Sequence, residues 1–499
     1  MKTEIERVTL APGLEISRVV TGLWQIADLE RGGRLLNRDA TADHMMPYVA
    51  AGLTTFDMAD HYGSAEVIAG RFRSRAGNAA RVELLTKWVP NPGAVSREDV
   101  RVAVEGARQR MRVEAVDLLQ FHTWNYADPR WLDCLFWLEE LKREGLIRHL
   151  GLTNVDTAHL RMVVKSGIPV VSNQVCFSLL DRRPLAQMTA ACLELGVKLL
   201  AYGTVAGGFL SERWLGKPEP DWDALDTWSQ MKYGRFIRAE GGWGALQKLL
   251  QAADRVAERH GVSIANVACR YVLEQPAVAG IIVGARLGRS EYLEETLRIF
   301  EFELDAADRA ELEVAMDGLE PIPGDCGDEY RRPPFLTAAG DLSHHVDAFP
   351  APYETKPGPA GRTLALSGTS WESFAGYCRA TRVGSRVLVS GTTATHGDRL
   401  IGGTDPAAQT HFVIDKIEGA LQSLGARLEH VVRTRVFVNR IGDWEAVARA
   451  HGERFRDVQP VNTLVEATLV GEQYLVEMEA EAVMPGTDGD GQDRPGKQT

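Results

Sequence analysis

Over about the first 320 residues, short apolar runs rich in β-branched side chains recur roughly every 25 to 50 positions. They are Arg18–Leu23, Thr54–Phe56, Val82–Leu85, Val116–Phe121, His149–Leu152, Val170–Gln174, Val197–Ala201 and Gly280–Val283. The stretches between them carry helical spacing, as in Trp131-Leu132-Leu135-Leu138-Leu141, stopped by Gly145, and Val100-Val104-Ala107-Met111. Strand and helix in alternation give a parallel sheet, and eight such units are the number that closes. The expected fold of residues 1–320 is therefore α/β, a (β/α)8 TIM barrel. A doubly wound open sheet is the alternative, but its G-x-G-x-x-G fingerprint is absent.

Beyond the barrel region, eight of the 22 prolines fall at 321, 323, 333, 334, 350, 352, 357 and 359, which reads as a linker over 321–360. Residues 361–485 give strands at Arg379–Val383, Arg386–Ser390, Val431–Val438, Val461–Leu469 and Tyr474–Ala482. Helices lie between them, the first capped by Asp405 with Pro406 at its first position and stopped at Gly425. That is a smaller α+β domain, with a sheet face that a second copy would cover, so a homo-oligomer is expected. Residues 486–499 lack an apolar anchor and read as a disordered tail. Within them, Gly491 to Lys497 has phosphate-loop spacing, but Gln498 replaces the hydroxyl residue.

Composition narrows the partners. With 56 Lys+Arg against 68 Asp+Glu the net charge is -12, which disfavours nucleic acid and anionic membranes. Charges fill Met1 to Val8, and no run approaches the ~20 apolar residues of a membrane span, so a cytoplasmic location is expected. Six cysteines without a C-x-x-C pair point to free thiols, with neither a metal site nor disulfides.

In such a barrel the residues that follow the strands gather at one rim. Phe56-Asp57-Met58-Ala59-Asp60-His61-Tyr62-Gly63 follows the second strand, Thr86-Lys87-Trp88 the third and Gln120-Phe121-His122-Thr123-Trp124 the fourth, so Asp57, Tyr62, Lys87 and His122 should meet. A phenol needs a neighbouring cation to act as an acid near neutrality, Lys87 is that cation, and Asp57 holds it charged. His122 is placed to orient the substrate oxygen or assist the proton transfer. This is a proton-delivery site for carbonyl reduction. Trp24, Trp88 and Trp124 are expected to line the substrate pocket, and the long segment 211–243 to act as a lid over the cofactor.

Phe56 to Glu66 resembles the F-D-T-A-D-x-Y-G-x-x-E signature of the aldo/keto reductase superfamily, with Met58 at the usual Thr, and the likeness spans about residues 1 to 318. It implies a catalytic tetrad of Asp57, Tyr62, Lys87 and His122, and NADP(H) as cofactor. Thr153-Asn154 and Asn173-Gln174 are similar to the family's S-N and N-Q pairs, so Asn154 and Gln174 would hold the nicotinamide carboxamide. Tyr202 resembles the stacking ring, with Gly203, Thr204, Val205 and Gly207 near the pyrophosphate. Gly284, Ala285 and Arg286 with Ser290, Glu295 and Thr296 resemble the adenosine 2′-phosphate site, although the stretch 286–290 is about two residues longer than usual and Thr296 replaces Asn.

Gly376 to Val483 is similar to the Rid (YjgF) family of trimeric enamine/imine deaminases, through Val389-Ser390-Gly391-Thr392, Thr434 to Val438 and Val476 to Glu479. The resemblance implies a cleft at Tyr377, Asn462 and Glu477 and assembly as a trimer. Asn462 stands where active members carry a carboxylate-gripping Arg, so standard deaminase activity is not expected. The expected function is NADPH-dependent reduction of an aldehyde or ketone. An imine or amino-carbonyl substrate, and a non-catalytic nucleotide-sensing scaffold, are the alternatives.

Overall fold

In the computed structural model, which describes residues 4–77, 81–289, 292–334 and 349–485, all eight apolar runs of the barrel region form strands. Two compact units separate, one of Met1–Asn125, Arg130–Val164 and Ile168–Ala348, the other of Phe349–Thr499 with Tyr126–Pro129 and Lys165–Gly167.

The first unit begins with an antiparallel hairpin, β1 (Arg7–Ala11) and β2 (Leu14–Ser17), which the sequence reading did not anticipate. There follow β3 (Val19–Gly22), β4 (Thr55–Asp57), β5 (Glu83–Trp88), β6 (Val116–Phe121), β7 (Ile147–Thr153), β8 (Val170–Cys176), β9 (Lys198–Tyr202) and β10 (Val278–Gly284). These eight are parallel neighbours in chain order, and β10 pairs with both β9 and β3, so the sheet closes. Every residue of β5 and β6 is buried, as parallel strands covered by helices require.

Leu10, Ala11, Leu14 and Ile16 of the hairpin pack with Val20, Leu85, Leu118, Leu200 and Ala279 near the N-terminal ends of the strands. At about 1.5–3 kcal/mol per fully buried large aliphatic side chain, the hairpin is a substantial part of the core. Helix boundaries follow local chemistry. Arg97–Met111 starts at a reciprocal cap, with Ser96 Oγ accepting Asp99 N at 3.2 Å and Asp99 Oδ2 accepting Ser96 N at 2.9 Å.

Glu240, just after the helix Trp228–Ala239, is 2% exposed, and its Oε2 has no hydrogen-bond partner among the described residues. Burial, helped by the nearby Asp181 charge, pushes its carboxyl up from 4.5 to about 10, so it is neutral at pH 7. Between those two values the folded state holds a proton that the unfolded chain has released, so stability falls as pH rises. Glu240→Gln is therefore expected to melt at least about 2 °C above wild type at pH 8, with the gap closing toward pH 5. A constant gap across that range in a thermal-melt series would contradict it.

The second unit holds β11 (Glu354–Pro357), β12 (Thr363–Leu366), β13 (Ala380–Val383) and β14 (Arg386–Thr393), the short pair β15 (Thr395–His396) and β16 (Arg399–Leu400), then β17 (Val431–Val438), β18 (Val461–Glu466) and β19 (Val476–Val483). Seven strands form one sheet in the order β11-β12-β13-β14-β19-β17-β18. The helix Pro406–Ser423 opens as read, with Asp405 Oδ1 accepting Ala408 N at 2.9 Å. Val476, Met478, Ala480 and Ala482 are buried on the side of β19 that faces the helices, while Glu477, Glu479 and Glu481 lie on the other face.

The stretch 321–360, read as a linker, carries structure at both of its described ends. Ile322, Cys326 and Tyr330 are buried in the first unit, and β11 pairs with β12 in the second. Proline content misled here, because a chain can lie ordered on a surface through side-chain bonds without apolar periodicity. The tail 486–499 lies outside the described residues.

Candidate active site

The strands of the first unit deliver their polar side chains to the C-terminal rim. Alternation along each strand turns Lys87 and Gln120 into the barrel and the residue after each of them toward the helices. Asp57, at the end of β4, accepts Lys87 Nζ on Oδ2 at 2.5 Å. Its other oxygen accepts Gln174 Nε2 at 2.8 Å and Gln120 Nε2 at 3.2 Å, and Gln174 Nε2 also donates to Gln120 Oε1 at 2.9 Å. Lys87 Nζ donates to Met58 O at 2.9 Å and lies 4.9 Å from the centroid of the Tyr62 ring. Burial pulls the Lys87 ammonium below its ordinary pKa, and the Asp57 charge opposes that pull.

One cleft, enclosing about 1020 Å³ out to its mouth, is lined by Asp57, Tyr62, Lys87 and His122 together with Thr153, Asn154, Gln174, Tyr202, Gly203, Thr204, Val205, Gly207 and Gly284. Trp24 and Trp124 are also on its wall, their rings 4.9 Å from Tyr62 and 4.4 Å from His122. Trp88, expected beside them, is not: it is buried with its ring 5.6 Å from Phe121, on the helix side of β5. Within the segment 211–243, Ser229, Lys232 and Tyr233 of the helix Trp228–Ala239 reach the cleft.

Ala285, Arg286, Glu295 and Thr296 follow β10 away from the cleft lining. Ala285 is buried, Arg286 and Glu295 are half-buried, and Thr296 Oγ1 donates to Tyr292 O at 2.8 Å. Ser290 lies outside the described residues.

Gln120, Lys232 and Tyr330 belong to the site as well. Gln120 shares the Asp57 network and was legible as the inward position two before His122. Lys232 and Tyr330 were not, since neither follows a barrel strand. Lys232 Nζ donates to Tyr330 Oη at 2.7 Å and to Tyr202 Oη at 3.3 Å, and Tyr202 donates on to Asn154 Oδ1 at 2.7 Å. Burial, with the neighbouring Tyr330 and Glu329, raises the Tyr202 phenol well above its ordinary pKa.

In the second unit the expected cleft is not assembled within one chain. Asn462 is exposed on β18 beside Thr434 of β17, and both side chains meet His451 Nε2, at 3.2 and 2.9 Å, on the helix side of the sheet. Glu477 is on the opposite face, over Gly391, and burial raises its carboxyl pKa with help from Glu479. The side-chain period of two separates them. Tyr377 is 38% exposed ahead of β13.

The aldo/keto reductase family model matches residues 18–316, and the endoribonuclease L-PSP family model matches 368–484. Protein tas of Escherichia coli is 28% identical over 321 residues, covering 56% of this chain and 90% of that protein. The solved structure of a glycerol dehydrogenase from Gluconobacter oxydans is 21% identical with a TM-score of 0.53, over 65% of this chain and 98% of that one, and shares the fold. A Mycobacterium tuberculosis protein described as a member of the YjgF/YER057c/UK114 family is 43% identical over 25% of this chain and 99% of its own, with a TM-score of 0.23. Among the described residues no helix is long and apolar enough to cross a membrane. With more than half of its length inside the first match, the chain belongs to the aldo/keto reductase family, oxidoreductases that use a nicotinamide cofactor, and carries an endoribonuclease L-PSP (YjgF-family) domain after the barrel.

Proposed function

We propose that the barrel is an NADPH-dependent reductase of aldehydes or ketones, with Tyr62 as proton donor. The observation that carries this reading is the meeting of Asp57, Lys87, Tyr62 and His122 on one cleft wall. An ammonium beside the phenol stabilises the phenolate that remains once the proton has gone to the substrate oxygen. Asp57 keeps that ammonium charged against burial, and His122 orients the carbonyl oxygen. Bound dihydronicotinamide supplies the hydride.

Hydrogen-bond bookkeeping supports the fit of the cofactor. Gln174 spends its amide nitrogen on Asp57 and Gln120, so what it offers a ligand is an acceptor, while Asn154 spends its oxygen on Tyr202 and offers a donor. One acceptor and one donor complement a primary carboxamide. Gly203 and Gly207 have φ of +77° and +64°, and a Cβ on Gly203 would lie 2.2 Å from Tyr233 Oη, so only glycine lets the backbone pass beneath the helix as a phosphate cradle. Among the described residues, Arg286 Nε and Glu295 Oε1 are buried polar atoms without a hydrogen-bond partner, a donor for a phosphate and an acceptor for an adenine amine.

Arg286→Ala is expected to weaken NADPH about 10-fold or more, the worth of a charge-assisted hydrogen bond, with NADH unaffected in the same fluorescence titration. Equal weakening of both would remove Arg286 from the 2′-phosphate. Activity itself is tested by NADPH oxidation over a panel of carbonyls, wild type against Tyr62→Phe.

The YjgF-family domain is read as lacking standard deaminase chemistry, because neutral Asn462 cannot pair with a carboxylate. A homotrimer through this domain, in the cytoplasm, completes the proposal; Leu388, Val461 and Val465, exposed on the open sheet face, support the self-association.

A further inference from the structure

Residues 325–331 follow the last long helix of the barrel, Ala306–Met316, and belong to none of its eight β/α units. They are nevertheless fastened to the rim at every turn. Asp325 Oδ2 accepts Thr157 N at 2.8 Å, and Arg183 donates to Asp325 O at 2.9 Å while pairing with buried Glu329 at 2.8 Å. Gly327 has φ of +82°, and a Cβ there would lie 2.0 Å from the Asn154 carbonyl oxygen, so this approach requires glycine.

Arg331 makes the connection that reaches the chemistry. Its Nε and Nη2 both donate to Thr123 O, at 3.0 and 2.6 Å, and its Nη1 donates to Asn154 O at 2.5 Å and Gly327 O at 3.1 Å. One guanidinium therefore spans the chain just past the ends of β6 and β7. Thr123 directly follows His122, whose Nδ1 lies 3.3 Å from Thr153 O, and Asn154 directly follows Thr153. Next to it, Tyr330 stands with its ring 5.5 Å from that of His122.

We infer that Arg331 is a positioning residue, which locks the His122 and Asn154 backbones into one frame so that substrate oxygen and nicotinamide are held in mutual register. The inference rests on the reductase reading above. The physical ground is the shape of the donor: a planar fork of fixed N–H directions ties two carbonyls together, whereas an ammonium is a single point charge. A displacement of about 1 Å at a reacting centre costs on the order of 100-fold in rate.

The test uses the full-length chain with Arg331→Met, Arg331→Lys and, as a control, Arg332→Met, whose side chain is half exposed beside Asp328. The readouts are kcat, KM and the Kd values of NADPH and of 2′,5′-ADP, which lacks the nicotinamide half. Arg331→Met is expected to lower kcat about 30- to 100-fold and to weaken NADPH several-fold without weakening 2′,5′-ADP. Arg331→Lys should recover only a small part, and Arg332→Met should behave as wild type. Wild-type kcat in folded Arg331→Met, equal weakening of both nucleotides, or the same loss in Arg332→Met would each overturn the inference. If wild type binds NADPH but reduces no carbonyl, the reductase reading falls, and the two Kd values still decide whether Arg331 seats the nicotinamide.

Discussion

Tyr62→Phe is expected to lower kcat for carbonyl reduction by about 100- to 10,000-fold, the usual worth of a positioned general acid, while the NADPH Kd stays within about twofold. The variant loses one oxygen and keeps the ring that packs 4.9 Å from Trp24 and 4.9 Å from His61, so the cleft wall should stand. Single-turnover rates with bound NADPH isolate the chemical step. Equal rates in wild type and variant would mean that the proton comes from another group and that the site has been misread.

Lys87→Met should be nearly as damaging to turnover, and it carries a second signature. Removing the ammonium strands Asp57, 3% exposed, as an unpaired buried carboxylate, which typically costs about 3–5 kcal/mol. Thermal melts should therefore show Lys87→Met less stable than the double variant with Asp57→Asn. The single Asp57→Asn variant tests the charge logic instead. Burial already lowers the Lys87 pKa and Asp57 holds it up, so without that carboxylate it drops further. Activity that needs charged Lys87 is lost as pH rises through this pKa. The alkaline limb of the kcat profile should then move to lower pH, and an unmoved limb would show that Lys87 does not act through its charge.

Much of the barrel was legible because its signals are local and repeated. Runs such as Val116–Phe121 and helices such as Arg97–Met111 state their own periods, and the rule that strand ends converge then brings Asp57, Tyr62, Lys87 and His122 to one rim from four places in the chain. What escaped depends on tertiary context. The β1–β2 hairpin is too short for a distinctive period, Trp88 was assigned to the cleft without regard to the alternation that turns it outward, and residues 325–331 are ordered by ion pairs and carbonyl contacts that leave no pattern in composition. In the second domain Asn462 and Glu477 were grouped by motif, although their strands present them to opposite sides.

The hairpin of Arg7–Ala11 and Leu14–Ser17, wedged among Val20, Leu85 and Leu118, has one more effect. It caps the end of the barrel remote from the cleft, where the interior is already filled by side chains, so damage to the hairpin should be felt as lost stability and not as a change in the cleft wall.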